Sequence, residues 1–244
     1  MKRFATTLLV CVAMLGGSAR ATTILAIRTP TGVTLGADSK LFTPDHSVNF
    51  LACKIGVANG VVFAQSGILE ILDRNYRAAE FASTALWGLG NIADRVASFE
   101  QAITPRLTAI VEEIRTSLPD LFHRLYENGP ALESIFAGVE KGVRVFHQRA
   151  FVAKAEMPLS LEIRRSSCPG DSCRGFAVLG HGDALMAEWL RRPKLMQEVG
   201  VEATIRHLIE TQASAVPVDV GGPISIVEVT GSGIHWLSKG KCDG

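Results

Sequence analysis

Thr22 follows Ala19-Arg20-Ala21, and that position governs what its hydroxyl can do. A threonine inside a chain has no base attached to it. A threonine that starts a chain carries the α-amine, whose ordinary pKa of about 7.7–8.0 lets it accept a proton near neutral pH. The hydroxyl can then attack a carbonyl and form an acyl ester. The residues before Thr22 predict the cut that would expose it. Lys2 and Arg3 precede an apolar run from Ala5 to Leu15, followed by Gly16-Gly17-Ser18 and the small-x-small tripeptide 19–21. This is the pattern of a cleaved secretory signal over residues 1–21. The run is too short to span a bilayer. Cys11 follows Leu8-Leu9-Val10, without the small residues that a lipoprotein cut needs. Two readings of Thr22 stand at this point: an ordinary small, polar mature N-terminus, or a nucleophile.

The residues that follow supply its surroundings. Thr23-Ile24-Leu25-Ala26-Ile27 reads as a strand, Thr29-Pro30-Thr31-Gly32 as a turn and Val33-Thr34-Leu35-Gly36-Ala37 as a second strand, which predicts a hairpin over 22–37. Asp38-Ser39-Lys40 ends it. Further on come Cys53-Lys54-Ile55-Gly56, the apolar strand Gly60–Ala64, and Gln65-Ser66-Gly67 before a helix. This order of Thr-Thr-Ile, Gly-Val-Thr-Leu-Gly-Ala-Asp-Ser-Lys, Lys-Ile and Phe-Ala-Gln-Ser-Gly resembles proteasome β-type subunits and the related bacterial HslV peptidase. In that family the N-terminal Thr is followed by an Asp sixteen residues later and a Lys thirty-two residues later. Asp38 and Lys54 fall at those positions without a gap.

The resemblance implies a catalytic set of Thr22, Asp38 and Lys54. Lys54 is expected beside Thr22 as a fixed positive charge that favours the alkoxide and keeps the α-amine neutral. Asp38 is expected to pair with Lys54 and orient it. The plainer alternative is a structural ion pair at the base of a hairpin. Gly67 matches the family's glycine whose backbone N–H serves as oxyanion donor, and it also reads as a simple strand-to-helix turn. Ser39 and His181 are the supporting polar candidates. His181 stands in Gly180-His181-Gly182, where the family has a Ser between glycines. The family's late Asp and Ser fall on Pro217 and Val220, a departure that bears on efficiency.

The elements that must position these residues follow from periodicity. Helical spacing covers Leu69–Leu86 and Ala93–Leu125, with breaks near Pro105 and Pro119. Strands are expected over Ser134–Val139, Val143–Ala153, Leu159–Arg164 and Gly175–Leu179. Helices follow over Asp183–Val199 and Val201–Ala215, then strands over Pro223–Val229 and Ile234–Leu237. With the resemblance, this order implies an α+β fold: a four-layer αββα Ntn-hydrolase sandwich in one domain, 22–244.

Composition bounds the function. The 244 residues are 47% hydrophobic and 20% charged, which excludes disorder. Formal net charge is +1, giving no basic field for nucleic acid. Residues 22–244 alone hold 22 basic and 24 acidic residues. Export implies a periplasmic or secreted protein in an oxidising compartment, so Cys53, Cys168, Cys173 and Cys242 are able to pair. Cys168-Pro-Gly-Asp-Ser-Cys173 is read as a disulfide at a hairpin tip, and Cys53 as a core residue. No motif supports a metal site, and no cofactor is implied. The reading is an exported threonine-type hydrolase of peptide or unfolded-protein substrates. By resemblance it is a ring-like homo-oligomer, and outside the ATP-containing cytoplasm it has no ATPase partner. Its rivals are an amidase or acylase of small amides, and a catalytically silent structural or binding protein.

Overall fold

The computed structural model describes residues 22–42, 49–71, 74–127, 129–154, 156–170, 173 and 175–242. The expected signal segment 1–21 lies outside the described residues. The chain opens with the predicted hairpin, β1 (Thr23–Arg28) and β2 (Gly32–Ala37). Its turn closes through Thr29, whose N–H donates to the Gly32 carbonyl at 2.8 Å while its hydroxyl accepts from the Gly32 N–H at 3.1 Å. Next come β3 (Lys40–Phe42), β4 (Asn49–Leu51), β5 (Ile55–Ala58), β6 (Val61–Gly67), β7 (Glu70–Ile71) and β8 (Tyr76–Arg77). The first helices are α1 (Ala78–Leu86), α2 (Ile92–Ser117) and α3 (Pro119–Leu125). The strands β9 (Pro130–Glu140), β10 (Val143–Lys154), β11 (Ser160–Cys168) and β12 (Phe176–Gly180) follow. Then come α4 (Asp183–Arg191), α5 (Leu195–Val199) and α6 (Val201–Ala215), with β13 (Ser225–Thr230) and β14 (Gly233–Ser238) closing the chain.

Two sheets have five strands, in the orders β12-β1-β2-β13-β14 and β11-β10-β9-β6-β5; β3-β4 and β7-β8 form two further two-stranded ribbons. Every described strand pairing is antiparallel. The fold class expected from the sequence is corrected on this evidence. The described residues form a mixed α/β fold with antiparallel strands in four sheets and six helices, in place of the regular four-layer αββα Ntn-hydrolase sandwich. Part of the reason lies in 69–77, read as helical from its apolar spacing. The chain there forms the β7-β8 ribbon, with Glu70 opposite Arg77 and an ion pair between them at 2.6 Å. Three or four apolar positions are too few to separate the two periods.

Strand alternation divides the apolar residues cleanly. Ile24 and Ala26 of β1 join Leu35, Val62, Ala64, Ile135 and Leu179 in one buried cluster, whereas Leu25 and Ile27 pack with Leu185, Ile205, Leu208 and Ile209. A third cluster gathers Phe99, Ile103 and Leu107 of α2 around Phe136 and Phe151. Pro105 does not break α2. It lies on the exposed face between buried Ile103 and Leu107, so the carbonyl it leaves unbonded faces water and the flanking core contacts hold the helix. The break expected at Pro119 does occur, and Pro119 opens α3 in the first-turn position where its missing N–H costs nothing.

Four cysteines form two disulfides. Cys168–Cys173 is the bridge expected, with Cα atoms 4.8 Å apart. Cys53 is corrected: it is exposed and bonded to Cys242, with Cα atoms 4.7 Å apart and 189 residues of separation. Disulfides fit an oxidising compartment outside the cytoplasm. Among the described residues, no helix is long and apolar enough to cross a membrane.

Candidate active site

Thr22 lies one residue before β1. The alternation that sends Ile24 and Ala26 toward the second sheet directs the Thr22 side chain to that same face. Thr23 faces the other way, and its hydroxyl donates to the His181 carbonyl at 2.8 Å. Thr22 is 3% exposed. Its carbonyl accepts from the His181 N–H at 2.8 Å, which fixes the start of β1 against the end of β12.

The hairpin delivers Asp38 to the same place. Ile24 stands opposite Ala37, so the residue after β2 returns to the start of β1. Asp38 Oδ1 accepts from the Thr23 N–H at 2.8 Å and from Lys54 Nζ at 2.8 Å. Asp38 Oδ2 accepts from the backbone N–H of Gly221 at 3.1 Å and of Lys40 at 3.2 Å. The carboxylate therefore has four donors. One is the charged partner, and one belongs to the peptide that joins Thr22 to Thr23. The predicted ion pair is present and fully buried, with side-chain exposure of 0% on both partners.

Burial changes the expected character of Lys54. Loss of hydration pulls its ammonium down from 10.5 to about 8, although Asp38 draws it the other way by charge and hydrogen bond. Burial thus weakens the hold of Lys54 on its charge, and Asp38 works against that loss.

Gly67 ends β6. Its φ of +103° belongs to glycine, and a Cβ there would stand 2.4 Å from the Ala131 carbonyl oxygen. The N–H of Ile68 donates to that oxygen at 2.8 Å. Antiparallel pairing alternates along a strand, so the Gly67 N–H points away from β9, to the side on which β5 runs. The last β6 residue paired with β5 is Ala64, opposite Ile55, the residue after Lys54. The Gly67 N–H is thus on the side of β6 that faces β5.

The supporting candidates separate. Ser39 is 1% exposed, and its hydroxyl donates to the Pro223 carbonyl, so it anchors the 216–223 loop rather than reaching Thr22. His181 does reach the site, through backbone bonds to both Thr22 and Thr23. Pro217 and Val220 carry no side-chain chemistry: the Pro217 carbonyl accepts from Lys40 Nζ at 2.6 Å, and Val220 is buried. Between them lies Asp219, whose Oδ2 is 3.6 Å from His181 Nε2. Sequence reading missed it, because it falls off the positions that the resemblance designates. It also missed Glu133 on β9, which faces the second sheet's partner and accepts from the Gly180 N–H at 2.7 Å. Gly180 itself has φ +74°, and a Cβ would stand 2.1 Å from the Thr22 carbonyl oxygen. Only glycine lets β12 approach Thr22 this closely.

The arrangement supplies a buried ammonium–carboxylate pair bonded to the peptide nitrogen next to Thr22. Among the described residues there is no group of three or more His, Cys, Asp or Glu side chains able to hold a metal. Compared with known proteins, the chain matches no family model and no curated sequence.

Proposed function

We propose that the chain is an exported threonine-type N-terminal nucleophile hydrolase that cleaves peptide bonds through an acyl ester on Thr22. The observation that carries the reading is the buried Lys54–Asp38 pair, bonded through Asp38 Oδ1 to the peptide nitrogen next to Thr22. The likeness of residues 22–67 to proteasome β-type subunits supports it. Two disulfides support the exported location.

In this mechanism the cut at Ala21–Thr22 frees the α-amine. Thr22 Oγ attacks the substrate carbonyl as its proton passes to the amine. Lys54 stabilises the developing alkoxide, and the Gly67 N–H receives the oxyanion. Collapse breaks the C–N bond, and the proton leaves with the departing amine. Water then hydrolyses the ester and restores Thr22. The chemistry calls for no cofactor. Peptides or unfolded chains are the substrates that the resemblance suggests, with a ring-like homo-oligomer as the assembly and no ATPase partner.

Intact-protein mass spectrometry of the cut chain with a β-lactone tests this. Acylation of Thr22 is the expected result; an unmodified chain overturns it. The rival of a silent binding protein draws on the 3% exposure of Thr22 in the uncut chain, and it predicts no acylation. An amidase of small amides predicts acylation together with a substrate profile confined to small compounds.

The pH–rate profile follows from two groups. Turnover needs a neutral α-amine, which appears as pH rises through a value that charged Lys54 holds below the ordinary one of about 7.7–8.0. It also needs charged Lys54, which is lost as pH rises through about 8. kcat/KM is therefore expected to pass through a maximum below pH 8 and to fall on both sides. A rate that climbs to a plateau above pH 9 would show that neutral Lys54 is the active form.

Processing is assigned to signal peptidase rather than self-cleavage, from the Ala19-Arg20-Ala21 pattern. The exported Thr22→Ala variant is expected to start at the substituted alanine, as N-terminal sequencing will show. An uncut variant would mean that Thr22 cuts its own precursor.

A further inference from the structure

We propose that Cys53–Cys242 is a redox switch on the Lys54–Asp38 pair, closed by oxidation and opened by a dithiol; that opening it stops turnover rests on the reading of Thr22 and Lys54 as catalytic. The two halves of the pair belong to different sheets. Asp38 follows β2 of the first five-stranded sheet, and Lys54 precedes β5, the edge strand of the second. Their ion pair at 2.8 Å therefore bridges the sheets, and it holds while that end of β5 stays close to the first sheet.

The disulfide spans the same gap one residue away. Cys53 immediately precedes Lys54, and Cys242 follows β14, the last strand of the first sheet. The C-terminal segment is itself anchored. The Cys242 N–H donates to the Lys239 carbonyl at 2.7 Å, and the Ser225 hydroxyl donates to that carbonyl at 2.7 Å. Ser225 opens β13 and stands opposite Ala37, the residue before Asp38. The bridge thus ties the segment that carries Lys54 to the strand beside Asp38. The noncovalent ties include the β5–β6 pairing, which stays within the second sheet, and the Ala52 N–H bond to the Ser39 carbonyl at 2.9 Å. With the bridge open, water competes for the Ala52 bond and for the ion pair. The Lys54 ammonium, at 0% side-chain exposure in the closed form, regains its hydration and leaves Asp38 Oδ1.

Exposure selects this bridge over the other. Thiol–disulfide exchange needs a sulfur that a thiolate can reach, and exposed bridges are the labile ones. Cys53 is exposed, whereas Cys168 is 1% exposed and Cys173 is partly buried. In the opening step one thiolate of a dithiol attacks Cys53 Sγ. The new S–S bond forms as the old one breaks, and the Cys242 thiolate departs and takes a proton from water. The second thiol of the reductant, as its thiolate, then attacks the mixed disulfide and releases the Cys53 thiolate, which is protonated in turn. The bridge has gained two electrons and two protons, and the reductant leaves as its own disulfide. Closure of the bridge is thereby a condition for activity alongside the cut that frees the Thr22 amine.

The test titrates the folded, cut chain 22–244 with dithiothreitol, without denaturant. Alkylation with peptide mapping shows which cysteines are free, brief acetylation shows whether Lys54 is reactive, and peptide turnover is followed in parallel. Cys53 and Cys242 are expected to become free at a dithiothreitol concentration at least about tenfold below that for Cys168 and Cys173. Over the same range Lys54 is expected to become acetylated and turnover to fall at least about tenfold, as loss of a fixed catalytic geometry does. The circular dichroism is expected to stay unchanged, and reoxidation to restore turnover. Cys53→Ser/Cys242→Ser is expected to be as slow as the reduced chain and deaf to dithiothreitol, and Cys168→Ser/Cys173→Ser to keep the full response. Reduction of Cys168–Cys173 first, or Lys54 still unreactive once Cys53 and Cys242 are free, overturns the proposal. So does loss of the dichroism together with turnover, which would mean that reduction unfolds the chain. Full turnover with Lys54 acetylated removes Lys54 from the catalytic set. If the oxidised chain is never acylated by a β-lactone at Thr22, the nucleophile reading falls, and the switch on the pair still stands or falls by the reactivity of Lys54.

Discussion

Thr22→Ala is expected to abolish turnover, by about four to six orders of magnitude, while the fold survives. Deleting the nucleophile of a catalytic set that works as one unit has an effect of this size. The fold survives because what holds the start of β1 is backbone: the Thr22 carbonyl on the His181 N–H, and the Thr23 N–H on Asp38. Neither bond needs the Thr22 side chain. Thr22→Ser keeps a hydroxyl and an amine and is expected to retain measurable turnover. Lys54→Ala is expected to be as inactive as Thr22→Ala. Breaking a buried pair by removing one partner generally costs about 3–5 kcal/mol. Asp38 would still have three backbone N–H donors, from Thr23, Lys40 and Gly221, which places the cost at the lower end. Peptide turnover and urea unfolding of the three variants check this. Wild-type turnover in Thr22→Ala would remove Thr22 as the nucleophile.

The second large effect concerns stability. Cys53–Cys242 closes a loop of 189 residues, and the chain-entropy model gives such a crosslink about 5 kcal/mol. Cys168–Cys173 spans only 5 residues, for which the same model gives about 2 kcal/mol. The double variant Cys53→Ser/Cys242→Ser is therefore expected to lower Tm by roughly 10 °C or more. Cys168→Ser/Cys173→Ser is expected to lower it much less. The long bridge also abuts the site. Residues 52–54 belong to no strand, and β5 is an edge strand paired only with β6. Without the bridge, the segment that carries Lys54 loses a covalent tie and keeps β5 on one side and the Ala52 N–H bond to the Ser39 carbonyl on the other, so activity is expected to fall along with Tm. Differential scanning calorimetry of the two double variants decides the comparison. Equal shifts would show that the long bridge adds little constraint.

The parts of the molecule legible in sequence are those where one local rule dominates. The 22–37 hairpin was readable because apolar strands flank a Thr-Pro-Thr-Gly turn. The Asp38–Lys54 pair was readable only through the resemblance, whose spacing from the Thr both residues match, and the Cys168–Cys173 bridge from its short loop. What escaped depends on residues far apart in the chain. Nothing local to Cys53 marks Cys242 as its partner, and it was read as core. Asp219 meets His181 only because the 216–222 loop folds back onto Asp38. The β7-β8 ribbon escaped because its apolar residues also fit a helix. The fold class failed for a related reason: the order of strands and helices was read well, but an order of elements does not specify how many sheets they form. The lowering of Lys54 from its ordinary value comes from burial, which no spacing reveals.

If the proposed cut at Ala21–Thr22 is the processing step, the seating of Thr22 also imposes an order on biogenesis. A peptidase must draw several residues around its target bond into an extended, accessible strand of its own. In the finished fold the residue after the Ala21–Thr22 bond is 3% exposed, and its carbonyl is already bonded to His181. Cleavage then requires a local opening whose population falls as the sheet becomes more stable. The first sheet cannot close around β1 until β12 has been made, some 150 residues later. Translation and translocation of that intervening length form the interval in which the bond is open to attack. Under that proposal, a chain that docks β12 before it is cut becomes a folded precursor still joined to residues 1–21, and its yield is set by a race between processing and sheet closure.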